Sequence, residues 1–185
     1  MVVGGWPAVH TILMSKTAIG VSQDGTAANT AIFMEAWHVA KSDGKYLNHD
    51  FTIKVDPDAL IFPWRLRDKL GSQVGGNIYV RNCNKVPGSP NFPMMFGAVE
   101  ILSQAAVTNY LANEDKCKTQ LPWQSWGEDF FLGKCLQMIG VAPYDDYGMI
   151  KDGACSGLWC GDKNAVGFHP LKSVGDWMKC HDEAQ

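Results

Sequence analysis

A chain of 185 residues, 46% hydrophobic and 19% charged, is long enough to bury a substantial core and too apolar to be disordered. Its net charge of −3, without any cluster of Lys or Arg, argues against nucleic acid as the main partner. No apolar run approaches the roughly 18 residues that a membrane-crossing helix needs, and residues 1–14 lack the basic start and continuous apolar centre of a secretory leader.

In chain order, residues 1–23 mix short apolar runs with Gly, Pro and Lys and supply one or two edge strands. Residues 26–42 predict a helix: Ile32, Phe33, Ala36, Trp37 and Ala40 recur at helical spacing, Asp24 and Thr26 are capping candidates, and Gly44 is a stop. Phe51, Ile53 and Val55 alternate with Thr52 and Lys54, the period of a strand with one buried face, and the run breaks at Asp56-Pro57-Asp58. Pro63 opens a short basic helix to Leu70, and residues 77–83 form a second strand. Three prolines and a glycine predict an irregular loop over 84–93. Residues 96–102 read as a strand or as the entry to a helix beginning near Ser103. A further helix spans 128–139, with Gly140 as its stop, and from Val141 onward the chain reads as loop-rich. Strands alternating with helices give one α/β domain over 1–185.

Two carboxylates just past an apolar strand, Asp56 and Asp58, lie where α/β folds place ligands and offer oxygen donors to a hard cation. Asp-Pro-Asp is also ordinary turn chemistry. Glu128-Asp129 opens a helix, where the helix dipole favours acids in any case. The functional alternative makes one of the two a general base beside Trp123 and Trp126, which can stack on a sugar or simply pack. His169 is bracketed by turn residues in Gly-Phe-His-Pro. Six cysteines, at 83, 117, 135, 155, 160 and 180, lack Cys-x-x-Cys spacing and read as disulfides in an oxidising lumen, with buried free thiols as the alternative.

These blocks resemble a known family. Lys54-Val55-Asp56-Pro57-Asp58-Ala59 is similar to the Lys-x-Asp-Asp-Asp metal signature of the fringe and core 1 β1,3-galactosyltransferases, inverting enzymes of glycosyltransferase family 31 with the GT-A fold. Asp115-Lys116-Cys117, followed by Glu128-Asp129-Phe130-Phe131-Leu132-Gly133-Lys134-Cys135, resembles the family's Glu-Asp-(three residues)-Gly-x-Cys block. Gly97-Ala98 matches part of its Gly-Gly-Ala-Gly stretch, and Phe168-His169-Pro170 its late Phe-His block. The likeness covers roughly residues 46–172, in wording nearest to algal-type members. It leaves 1–45 as an abbreviated N-terminal part and 173–185 as a tail.

The resemblance implies a GT-A-like mixed sheet flanked by helices, with a disulfide-tethered C-terminal region. Asp56, Asp58 and His169 would hold manganese, and Asp56, Asp58, Gly97 and Ala98 the UDP-sugar donor. Asp129, supported by Glu128, would deprotonate a hydroxyl of a glycan or glycoprotein acceptor. Cys117 would pair with Cys135. The compartment implied is the secretory pathway or Golgi lumen, or another organelle lumen such as that of the thylakoid. Pro57 replaces the family's middle aspartate, Phe96 and Val99 stand in place of its glycines, and the nucleotide-binding unit ahead of Asp56 looks truncated. Those departures give the alternative of an inert GT-A-like domain serving as a lumenal subunit of a larger assembly, for example an algal membrane complex.

Overall fold

The computed structural model describes residues 12, 14, 15, 19–23, 25, 27–86 and 89–185. Strands β1 (Gly20–Val21) and β2 (Ala27–Ala28) form a small antiparallel ribbon ahead of helix α1 (Thr30–Asp43). The capping candidates Asp24 and Thr26 lie outside the described residues, and α1 begins at Thr30, four residues later than the periodicity predicts, with Asn29 at the N-cap position. Gly44 ends it as expected, in a left-handed conformation with its N–H on the Ala40 carbonyl.

Next come β3 (Phe51–Val55), β4 (Leu60–Ile61) and α2 (Pro63–Leu70), followed by β5 (Ile78–Arg81), β6 (Cys83–Val86) and β7 (Ser89–Met94). The predicted loop over 84–93 is instead this β6–β7 hairpin, a two-stranded sheet that pairs with no other strand among the described residues. A two-stranded ribbon has two outer edges, where a proline's missing N–H leaves no ladder bond unmade. The chain continues through β8 (Val99–Ser103), α3 (Gln104–Gln120), α4 (Glu128–Met138), β9 (Ala142–Asp145), β10 (Ile150–Asp152), β11 (Gly167–His169) and α5 (Val174–Ala184). The region after Val141 is thus richer in regular structure than its breakers suggest, and 173–185 ends in a helix. Ser173 caps that helix by accepting the Asp176 N–H.

Two mixed sheets organise the molecule. The first has the order β3-β8-β5-β9, antiparallel twice and then parallel; the second, β10-β11-β4, is parallel and then antiparallel. Side-chain alternation sends Tyr79 and Leu102 to one face of the first sheet, into a core with Met34, Trp37, Val107, Tyr110, Phe131 and Leu136 from α1, α3 and α4. Val80, Val99 and Ile101 face the other way, onto Leu66 and Leu70 of α2 and Ile150 of the second sheet. Phe51, Ile53 and Val55 pack on that second side, as their spacing predicts. Thr52 and Lys54 therefore point at the helices.

Three disulfides complete the frame: Cys117–Cys135 joins α3 to α4, Cys83–Cys155 ties β6 to the turn after β10, and Cys160–Cys180 fastens α5. No described cysteine is free. This is an α/β domain whose thiol chemistry fits an oxidising compartment outside the cytosol. Among the described residues, no helix is long and apolar enough to cross a membrane.

Candidate metal centre and acid pair

The chain leaves the first sheet at Asp56 and enters the second at Leu60, so the Asp-Pro-Asp turn lies on the seam between them. The Asp56 N–H donates to the Ala98 carbonyl at 3.0 Å, and the Asp58 carbonyl accepts the Leu171 N–H at 2.8 Å. The second bond brings the turn against the end of β11, where His169 stands. Ligand atoms of Asp56, Asp58 and His169 all lie within 4.8 Å of one another, so the structure brings these three expected residues together. Two carboxylates and an imidazole are a donor set that suits manganese, magnesium or zinc.

A fourth residue orients the histidine. Asp152, buried on β10 directly opposite His169 in the parallel register, lies 2.5 Å from its Nδ1. A carboxylate can only accept, so Nδ1 carries the proton and Nε2 faces Asp58 at 3.6 Å. This is the usual arrangement behind a metal-binding imidazole. The Asp152 hydrogen bond, with the Asp58 and Asp56 charges adding to it, raises the His169 pKa above its ordinary value against the effect of burial. Asp152 is held in turn by the Ala154 N–H at 2.7 Å.

Both turn carboxylates also meet ammonium groups. Lys172 bonds Asp58, and Lys54 bonds Asp56 at 2.6 Å. Burial would raise the Asp58 pKa, but Lys172 and His169 together hold it below the usual carboxylate range.

Lys54 also joins this centre to the acid pair. Its Nζ, only 14% exposed, reaches the Gly97 carbonyl at 2.5 Å and Glu128 Oε1 at 3.0 Å, and lies 4.6 Å from the Phe33 ring centroid. Glu128 and Asp129 open α4, as the sequence predicts, and the start of α1 positions them. Asn29 Oδ1 accepts the Glu128 N–H at 3.1 Å, and Thr30 donates to the Trp126 carbonyl at 2.8 Å. Asp129 accepts from the Gly97 N–H at 2.9 Å and the Phe130 N–H at 2.7 Å. Burial, and then the neighbouring Glu128 charge, push its pKa up to about 6 despite those two donors and Lys54.

Gly97 fits tightly against the acid pair. A Cβ would come within 3.1 Å of Asp129 Oδ2 and 3.2 Å of Glu128 Oε1. Its N–H and carbonyl, and the carbonyl of buried Ala98, are all engaged inside the protein. Asn82 braces this turn by accepting the Phe96 N–H at 2.7 Å and donating to the Val99 carbonyl at 2.8 Å. Trp126 packs edge-on against Phe130 at 4.7 Å, and Trp123 leans on the helix-side core.

Glu100, like Asp152, is a residue that the sequence reading does not single out. It lies fully buried on β8, directly opposite Lys54. Its nearest charge, Lys54 Nζ, is 3.5 Å from Oε1, and among the described residues neither carboxyl oxygen has a hydrogen-bond partner. Burial raises its pKa from 4.5 to about 8, and Glu128, Asp129 and Asp56 reinforce the rise against Lys54. Burial would lower Lys54, but Glu100, Glu128 and Asp56 hold its ammonium well above the ordinary lysine value. Burial of Glu100 thus favours its protonated form.

A group whose folded pKa is raised stabilises below its unfolded value and loses that contribution as pH climbs through the folded one. Glu100→Gln, which cannot ionise, is expected to match the parent near pH 4.5 and to exceed its stability at pH 9, by on the order of a few kcal/mol. Parallel stability–pH curves for the two proteins in urea titrations would refute this. A lone acid inside Val99-Glu100-Ile101-Leu102 was a usable signal. Asp152 had none, since only the parallel β10–β11 pairing brings it to His169.

No protein-family model matches this chain, and no curated protein matches it.

Proposed function

We propose that this domain is an inverting, manganese-dependent glycosyltransferase that moves a sugar from a UDP-sugar to a hydroxyl of a glycan or glycoprotein, working in an oxidising lumen such as the Golgi. The observation that carries the reading is the convergence of Asp56, Asp58 and His169 on one point, with Lys54 linking Asp56 to Glu128 beside Asp129. The donor set fits a divalent cation because His169 is already oriented by Asp152, with Nε2 turned to the carboxylates. Asp56, Asp58 and His169 would hold the ion, which when bound neutralises the charge of the departing nucleoside diphosphate.

Asp129 supplies the base. Its raised pKa makes it a better proton acceptor than an exposed aspartate, while leaving it largely ionised at neutral pH. The acceptor hydroxyl gives its proton to Asp129 as its oxygen bonds the sugar's anomeric carbon. The bond from that carbon to the diphosphate oxygen breaks on the opposite face. Lys54 fixes the spacing between the donor carboxylate Asp56 and the acceptor side through Glu128.

One observation favours a second reading, an inert GT-A-like subunit of a larger assembly in a lumen such as the thylakoid's. Lys54 and Lys172 already neutralise Asp56 and Asp58, so the cluster is stable as an internal salt-bridge network. Calorimetric titration with UDP, with and without manganese, separates the two. Manganese-dependent UDP binding is expected; no binding at millimolar UDP would rule out the transferase and leave the inert domain.

A further inference from the structure

Beyond the metal centre, α4 turns a second face toward the β6–β7 hairpin, and a groove runs between them. Asp129, Phe130, Gly133 and Lys134 line its helix side, with Phe92 and Arg81 across from them. The Phe92 and Phe130 rings lie nearly parallel, 24° apart in plane with centroids 6.1 Å apart, and both are partly exposed. Lys134 Nζ stands over both, at 5.8 and 5.3 Å. The floor is open at Gly133, where an added Cβ would meet nothing within 4 Å. The two cations differ. Arg81 is spent on a bidentate pair with Asp145 at 2.5 and 2.7 Å, whereas Lys134 bonds no carboxylate among the described residues.

We infer that this groove binds the acceptor, and that the acceptor is an anionic sugar carrying a carboxylate or sulfate. The inference rests on the transferase reading for the role of Asp129 at the groove's end. The partly exposed aromatic rings offer apolar surface to the C–H face of a pyranose, and the Lys134 ammonium, matched by no carboxylate among the described residues, selects a negative substituent beside it. Asp129 and Lys134 are five residues apart, roughly 7.5 Å along the helix axis. A sugar hydroxyl can thus approach the base while the anionic group reaches Lys134, clear of the carboxylate that would repel it.

The test measures binding of trigalacturonate, its methyl ester and a sulfated galactan oligosaccharide in the absence of UDP and metal, so its outcome is independent of the donor site. Trigalacturonate is expected to bind about five-fold tighter than its uncharged ester at low salt, the scale of a partly exposed ion pair, with amide shifts at Phe92 and Phe130. Lys134→Met removes that preference, as does high salt. Gly133→Leu fills the floor and abolishes binding of all three. Tighter binding of the sulfated sugar than of the uronate identifies sulfate as the preferred anion. Equal affinity for acid and ester, a preference that survives Lys134→Met, or no binding of any of the three at millimolar concentration overturns the inference. If anionic sugars bind while UDP does not, the transferase reading fails and the groove stands as a lectin-like site.

Discussion

On the proposed transferase reading, Asp58→Ala is expected to abolish manganese-dependent UDP binding, and Asp152→Asn to weaken it by about 10- to 100-fold. Asp58 is the member of the triad that faces both His169 and Lys172, so its loss leaves one carboxylate and one imidazole at the seam. Two donors do not hold a manganese ion against water, and the expected drop exceeds the roughly 100-fold upper range for losing a supporting partner alone. Asp152 touches the same site only through Nδ1 of His169. Asparagine there keeps the shape but lets its amide face the ring the wrong way, so the imidazole loses its fixed tautomer without leaving its place. The cost to folding differs from the cost to binding. Asp58 meets Lys172 at an exposed edge, and such solvent-screened pairs contribute little to stability. The Asp58 carbonyl keeps its bond from Leu171 in the variant. Lys172→Met is the counterpart: removing the competing ammonium strengthens manganese binding in an active site and does nothing in an inert salt-bridge network. Calorimetry on the three variants checks the order. Wild-type-like titration of Asp58→Ala would remove the metal assignment.

The parts of this site that were legible in the sequence are those written by local chemistry. Asp56 and Asp58 end a strand at a proline, Glu128 and Asp129 open a helix, and His169 lies between breakers. The structure puts each of them in that setting. The two-residue period of Phe51, Ile53 and Val55 likewise assigns the buried face of β3. What escaped is long-range. Asp152 reaches His169 only because β10 and β11 pair in parallel, and Glu100 meets Lys54 only because β8 lies antiparallel to β3 in that register. Asn29 stands at the N-cap position of α1, but its side chain serves the first turn of α4, 99 residues away. The β6–β7 hairpin was hidden by its prolines, which disfavour a central strand but not a free-standing ribbon. Helix α5 is short, and long-range partners hold its place: the Cys160–Cys180 disulfide and Arg65, which donates to the Ala184 carbonyl at 2.6 Å.

Asp129→Asn is expected to lower turnover by about 10²- to 10⁴-fold, the usual worth of a positioned general base. The amide keeps the size of the carboxyl but must turn its NH₂ toward either the Gly97 or the Phe130 N–H, both of which now donate to Asp129. One hydrogen bond is lost, at about 1–3 kcal/mol, so the fold survives. The pH dependence follows from the raised pKa. Only the ionised form accepts a proton, so parent turnover rises about tenfold per pH unit below about 6 and levels off above it. Glu128→Gln removes a charge that raises Asp129, and the rise then moves to lower pH while the plateau stays set by Asp129. Stability moves oppositely to rate. A carboxyl raised from 3.8 to about 6 stabilises the fold fully below 3.8 and loses that contribution as pH climbs through 6, so the parent weakens relative to Asp129→Asn across that window. Titrating the Asp129 carboxyl carbon by NMR reads the same quantity without turnover. A midpoint near the ordinary 3.8 would show that neither burial nor Glu128 tunes this group, and an Asp129→Asn variant within tenfold of the parent would take the base away from Asp129. A midpoint near 6 that falls in Glu128→Gln ties the proton acceptor to the same acid pair that Lys54 connects to Asp56.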